Sequence, residues 1–360
     1  MKNKIIAIIF ICIIFGFSLV SIFAKDNLLS TFERRKLAQF PTKLDEDFTK
    51  DLDDYLLDQF WLRNQLINLN SFINRKILNK IDNNDVYVVG DNIYDKTYPL
   101  DEKQTTKFTE KVNYIVNNYC GSSNVYYSVI PDKSKFLFHG KYLKLDYNKM
   151  YNIVTSNTNG KYINITDNLD IDDYYRTDIH WKQENLSGVV QELVTSMGKE
   201  YKPQTYIQKQ YDSFYGASYS KAGMNIKPDV LTYLYDANEK ISVTHLEYGK
   251  KSMYDTEKLT SLDSYDVFLS GPSSYIEIEN KSVTDNSTLI LFRDSFGSSI
   301  APLLTPYYNK IIMVDLRYID FNLVKEKLNF ENADVLFLYS TLIINSSDIL
   351  KVNVKHGIIQ

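Results

Sequence analysis

The sequence predicts an α/β protein with a parallel sheet, preceded by an N-terminal membrane anchor, and three stretches carry that expectation. From Thr288 onward short apolar runs alternate with helical segments. Leu289 to Phe292, Ile311 to Leu316 and Val335 to Tyr339 read as strands buried on both faces, with helices from Ile300 to Tyr307 and, capped by Asp320, from Phe321 to Leu328. Earlier, Thr105 to Cys120 places Phe108, Val112, Ile115, Val116 and Tyr119 on one helical face, stops at Gly121, and leads into a strand from Val125 to Ile130. The first 25 residues, by contrast, are mostly apolar.

Lys2 and Lys4 precede the apolar run from Ile5 to Ala24, whose 20 residues would span roughly 30 Å of hydrocarbon as a helix. That is longer than a signal-peptide apolar region of about 7 to 15 residues. Ser21-Ile22-Phe23-Ala24 offers only a weak cleavage site, so an uncleaved anchor is favoured over a signal peptide. The charges on the short N-terminal side place Lys2 and Lys4 in the cytoplasm and everything after Lys25 outside the cell. Cys12 lies in the anchor and Cys120 stands alone beyond it, which leaves no intrachain disulfide in the exported part. A net charge of −4 with no basic patch excludes nucleic acid as a partner. Neither HExxH nor CxxC occurs, so no metal site and no cofactor is expected. The 29 tyrosines accompany abundant Asn, Ile and Lys, as a biased base composition would produce.

Beyond the anchor, Asp26 to Lys43 reads as a juxtamembrane linker carrying Glu33-Arg34-Arg35. Phe48, Leu52, Tyr55, Leu56, Phe60 and Leu66 recur at helical spacing, so Asp45 to Leu78 reads as one or two amphipathic helices, and Val86 to Val89 with Asn92 to Tyr94 as a hairpin. Residues 26–100 thus form a linker and helical region ahead of the α/β domain at 101–360. Within that domain, 201–286 reads as a strand-rich insertion with short alternations at Val230 to Tyr235, Tyr265 to Leu269 and Tyr275 to Ile278, broken by Gly271-Pro272.

Two motifs carry candidate chemistry. Leu289 to Phe292 ends abruptly in Arg293-Asp294-Ser295, then Phe296 and Gly297 lead into a helix. A residue at such a turn sits at the carboxyl edge of the sheet, where open α/β folds hold ligands, so Ser295 is a candidate nucleophile; a plain helix-capping role is the alternative. Far upstream, Asp178 stands two residues before His180 in D-I-H-W. In an extended segment residues i and i+2 point to one side, so the carboxylate can reach Nδ1 and leave Nε2 to take a proton. Of His139, His180, His245 and His356, only His180 has an acid so placed. A cap by Asp178 beside a packed His180 and Trp181 is the competing reading, and metal binding by the pair lacks a third and fourth ligand. Right-handed crossovers would bring Ser295, Arg317-Tyr318 and Ser340-Thr341 to one sheet edge.

With these motifs, the chain resembles the DHHW family of exported bacterial proteins, relatives of the periplasmic alginate O-acetyltransferases within the SGNH-like hydrolases. The likeness lies in R-R-K-L-A-Q-F-P at 34–41, D-Q-F-W-L-R at 58–63, I-P-D-K-S at 130–134, Y-Y-R-T-D-I-H-W at 174–181, Y-D-V-F-L-S-G at 265–271 and L-F-R-D-S-F-G at 291–297. It implies a three-layer SGNH hydrolase-like catalytic domain over 101–360, with the acid and base upstream of the serine in permuted order. It further implies a Ser295-His180-Asp178 triad that transfers acetyl groups to an extracellular glycan, with a membrane-bound O-acyltransferase as acyl donor. A carbohydrate acetyl esterase with the same triad, or an inactive binding subunit of a polysaccharide assembly complex, are the other expectations. Two positions depart from the pattern. Ile179 replaces a histidine, and Arg317-Tyr318 and Ser340-Thr341 occupy the strand ends where SGNH enzymes place an oxyanion Gly and Asn. The oxyanion or substrate candidates are therefore the N–H of Ser295 or Phe296, with Arg317, Tyr318 and Arg293.

Overall fold

A computed structural model describes residues 2–30, 32–138, 140–236 and 240–354; His139 and His356 lie outside them. The first helix, α1 (Lys2–Phe23), is long and apolar enough to cross a membrane, a property shared by anchors and signal sequences. After it come α2 (Phe48–Asp58) and α3 (Arg63–Phe72), the latter running into a wider turn at Ile73–Ile77. The expected hairpin pairs Val86–Val89 with Asn92–Asp95.

The α/β body starts at α4 (Glu102–Tyr119), where the Asp101 carboxylate accepts from the Gln104 N–H and so satisfies one orphan donor of the first turn. In chain order there follow β1 (Asn124–Ile130), α5 (Tyr147–Asn157), β2 (Lys161–Tyr162), α6 (Ser187–Ser196), β3 (Ile241–His245), β4 (Gly249–Lys251), β5 (Tyr275–Asn280), β6 (Thr288–Arg293), α7 (Gly297–Leu304), β7 (Lys310–Val314) and β8 (Asp334–Ser340). The eight strands form one sheet in the order β4-β3-β5-β7-β6-β8-β1-β2. Pairings from β7 to β2 are parallel; β5, β3 and β4 extend that sheet antiparallel.

The strands with continuous apolar sequence lie at the centre because both their faces are covered. In β6, Leu289 and Leu291 join Met313 and Leu338 in the core that includes α6 and α7, while Ile290 and Phe292 join Phe337 in the core that includes α4 and α5. The result is a three-layer α/β/α sandwich with β6 between β7 and β8.

Two expectations change. Of the strands expected inside an insertion, Tyr275 to Ile278 belongs to the main sheet: as β5, joined by β3 and β4, it forms the antiparallel edge, because Ile276 and Ile278 on one face and Tyr275 on the other are all buried in the central cores. The hairpin Ile207–Phe214 with Asp229–Tyr235 stands apart from it. Second, Tyr265 to Leu269 is a 3-10 turn (Ser264–Val267), opened by the Asp263 carboxylate accepting from the Tyr265 N–H. Left-handed backbone at Leu269, Ser270 and Gly271 ends any extended run there. The apolar residues of this turn instead pack with Tyr175, Phe214 and Leu231 in a small separate core.

Leu291 is fully buried at the middle of β6, whereas Leu323 is 71% exposed. Leu291→Ala is expected to lower the unfolding free energy in a urea titration by about 2–5 kcal/mol, and Leu323→Ala to leave it within about 0.5 kcal/mol.

Candidate active site

β6 ends at Arg293, and a tight turn carries Asp294 and Ser295 to the start of α7. Asp294 locks that turn: Oδ1 accepts from the Phe296 N–H at 3.0 Å and Oδ2 from the Ser340 N–H at the end of β8 at 2.7 Å. Gly297 is required by closeness, since a Cβ there would lie 2.7 Å from the Arg293 Cβ. The N–H of Phe296 is thus directed into the turn, and its buried ring packs against His180 and Trp181.

The segment bearing Asp178 and His180 is a closed loop and not an extended strand. Tyr174 bridges to Trp181, and the Tyr175 N–H donates to the His180 carbonyl at 3.1 Å. The carboxylate reaches the ring through a side-chain turn, Asp178 Oδ1 accepting from both the His180 N–H at 2.9 Å and Nδ1 at 2.5 Å. Lys133, buried beneath the loop, donates from Nζ to the carbonyls of Ile93, Tyr175, Arg176 and Asp178 at 2.5 to 3.1 Å. Asp229 accepts from the N–H groups of Arg176 and Thr177 and from the Thr177 hydroxyl. A Cβ on Gly216 would stand 2.2 Å from the Asp178 Cβ, so the chain there lies flat on the carboxylate and Ala217 N–H donates to Oδ2 at 2.7 Å.

The loop and the turn meet. His180 Nε2 lies 2.8 Å from Ser295 Oγ, on the far side of the ring from Asp178. Tyr265 stacks on the imidazole at 4.0 Å and 9°, and its hydroxyl donates to Ser299 Oγ, which also accepts from the Trp181 indole at 2.8 Å. Burial works against the charge on Asp178. The imidazole of His180, its hydrogen bond, Arg34 and the Ala217 N–H outweigh that cost and hold the carboxyl well below the ordinary carboxylate range. Asp178 is therefore an anion at neutral pH, and the arrangement can move a proton from Ser295 to His180.

Ser295 and His180 open into a cavity of about 210 Å³ whose walls include Asp266, Arg293, Arg317 and Tyr318. Arg317 forks onto Asp315 through Nε and Nη2 at 2.9 and 2.6 Å, and Arg293 Nη1 approaches the same carboxylate at 3.5 Å. Nε and Nη2 of the buried Arg293 have no hydrogen-bond partner among the described residues. Burial, with Asp263 nearby, pushes Asp266 up to about 6. Ser340 and Thr341 do not line this cavity: the first serves Asp294 and the second the buried Asp132. Among the described residues no three His, Cys, Asp or Glu side chains gather as a metal site would require.

Sequence reasoning missed Lys133, Asp229, Gly216, Tyr265 and Arg34. Arg34, Lys133 and Tyr265 fall in motifs of the family likeness, but nothing local says what they touch.

A family model described as DHHW protein matches residues 73–314. A solved DHHW family protein from Eubacterium siraeum is 18% identical, with a TM-score of 0.63 over 74% of this chain and 94% of that one. PatB1 from Bacillus cereus, solved with a sulfonyl adduct, is 16% identical, with a TM-score of 0.60 over 74% of this chain and 100% of that one. At such identities the likeness is one of fold. No curated protein sequence matches the chain.

With the folded-state Asp266 carboxyl raised to about 6, the unfolded chain releases that proton earlier as pH rises, and folding loses stability between about 4 and 6. Asp266→Asn removes that loss. Urea titrations should show it about as stable as the parent near pH 4 and about 1–2 kcal/mol more stable at pH 7.

Proposed function

The chain belongs to the DHHW family, and from that premise we propose that it is a serine-dependent O-acyltransferase, Ser295 taking an acetyl group and passing it to a hydroxyl of an extracellular glycan. One observation supports this above the rest: Ser295 Oγ, His180 and a buried Asp178 stand in an unbroken hydrogen-bonded row at the end of β6. The acetyl group and the glycan come from family likeness, and the chemistry of the row alone is acyl transfer.

In this reading Oγ attacks the acyl carbonyl while His180 Nε2 takes its proton, and Asp178 steadies the imidazolium. Collapse of the tetrahedral species breaks the bond to the donor's leaving group, which receives the proton from His180. An acceptor hydroxyl then yields its proton to the same nitrogen and attacks the acyl-serine; the Oγ–acyl bond breaks to release the ester, and His180 returns the proton to Oγ. The developing oxyanion needs donors. With the Phe296 N–H committed to Asp294, that role falls to the Ser295 N–H and to the cations of Arg293 and Arg317, whose charge in a small cavity counts for more than in water. Tyr318, 49% exposed on the cavity wall, would meet the acceptor. The helix α1 serves as an anchor that holds the domain outside the cell, beside a membrane-bound O-acyltransferase that supplies the acyl group.

PatB1 carries a sulfonyl adduct, and a sulfonyl fluoride is a suitable first probe of Ser295. The fuller test supplies an acetyl ester labelled at its carbonyl carbon together with candidate glycans. Label is expected first on Ser295 and then on glycan hydroxyls, with Ser295→Ala and His180→Ala slower by about 10⁴. Label found solely in free acetate would mark an esterase, and turnover that survives Ser295→Ala would remove the serine from the mechanism.

A further inference from the structure

Arg34 precedes the residues 73–314 matched by the family model and heads the R-R-K-L-A-Q-F-P motif in the stretch between α1 and α2, yet its side chain ends at the candidate active site. The stretch is folded. Leu29 and Ser30 pair antiparallel with Lys36 and Arg35, and Arg34 sits in the intervening turn with left-handed backbone at φ 55°. Its neighbours fasten the turn to the helices: Glu33 accepts two bonds from Arg63 at 2.7 and 2.9 Å, and Asp58 accepts from Arg35 and from the Ala38 N–H. Between those fastenings the Arg34 side chain points inward and is only 12% exposed.

The guanidinium spans two parts of the site. Nε donates to the Leu262 carbonyl at 2.8 Å, Nη2 pairs with the Asp263 carboxylate, and Nη1 stands 3.8 Å from Asp178 Oδ2. That oxygen is the one His180 does not use. Asp178 meets the imidazole at Nδ1, Asp263 and Asp266 line the cavity into which His180 and Ser295 open, and Tyr265 stacks on the face of the ring. Ser295, Arg293, Arg317 and Tyr318 line the remaining walls, and Lys133 meets the loop only at main-chain oxygens. Arg34 meets the Asp178 oxygen that His180 leaves open and offsets part of the negative charge gathered there.

We propose that Arg34 is a positioning residue for the Asp178–His180 pair, so that the segment leading from α1 is a functional part of the site and more than a tether. Its guanidinium fixes the orientation of Asp178, supplies the countercharge for the three acids, and ties the Asp263 turn to the histidine loop. The inference rests on the acyl-transfer reading for its consequence in rate, though not for its consequence in structure.

The test uses the full chain in detergent with Arg34→Gln, which keeps a donor for the Leu262 carbonyl, and Arg34→Lys, which keeps the charge. The first readout is the downfield proton resonance of His180 Nδ1–H, recorded with no acyl compound present, beside thermal melts that check the fold. The second is the rate–pH profile with p-nitrophenyl acetate. Arg34→Gln is expected to displace the resonance and move the rising limb of the profile up by about one pH unit, hence about tenfold slower turnover on that limb. Arg34→Lys should hold both near their wild-type positions. An Arg34→Gln protein with unchanged resonance and limb would overturn the proposal. So would an Arg34→Lys protein as displaced as Arg34→Gln, since packing and not charge would then be at work. If the parent turns over no ester, the acyl-transfer reading fails and the resonance still decides the role of Arg34.

Discussion

A carboxylate buried as fully as Asp178 has to have its charge and its lone pairs answered by the protein, and much of this site follows from that constraint. One oxygen takes the main-chain and ring N–H groups of His180; the other takes the Ala217 N–H and faces Arg34. Each answering group comes from a different stretch of chain, so the charge can be kept only if the histidine loop, the stretch after the Ile207–Phe214 strand and the segment after α1 all dock together. The flatness of the chain at Gly216 is one visible consequence. A second is Lys133, whose ammonium gathers four carbonyls and sets the curvature of the loop from below.

The serine side is held by a different device. Asp294 ties the end of β6 to the end of β8 through two main-chain N–H groups, which holds the turn without any side chain of the histidine loop. The aromatic layer then joins the halves: Trp181 and Tyr265 both bond to Ser299 on the first turn of α7, and Tyr265 and Phe296 enclose the imidazole. The 2.8 Å approach of His180 to Ser295 therefore depends on packing across three elements, with no local sequence feature able to set it alone.

Charges of both signs line the site. Asp178 backs the imidazole at Nδ1, while Arg293 and Arg317 share the cavity walls with Asp263 and Asp266. In the proposed reaction a guanidinium on that wall suits an oxyanion, which must be met by positive charge.

Periodicity made the sheet legible. Two-sided apolar runs can be satisfied only between two helical layers, so β1, β6, β7 and β8 and the polar turn at Ser295 followed from composition along the chain. The D-x-H spacing likewise pointed to Asp178 and His180, although the reason differed: a side-chain turn brings them together, where an extended segment was expected. The strand at Tyr275 to Ile278 is legible, but 201–286 reads as an insertion because short half-polar alternations do not say which sheet they join. Arg34, Lys133, Asp229 and Gly216 are invisible as site residues, since their hydrogen-bond partners lie between 39 and 228 positions away. Sequence by itself determined which groups could do chemistry, because pKa class, nucleophilicity and strand period are properties of residues and their near neighbours. Only the tertiary structure decided which of them meet, because burial of a charge is answered by whatever the whole fold brings to it.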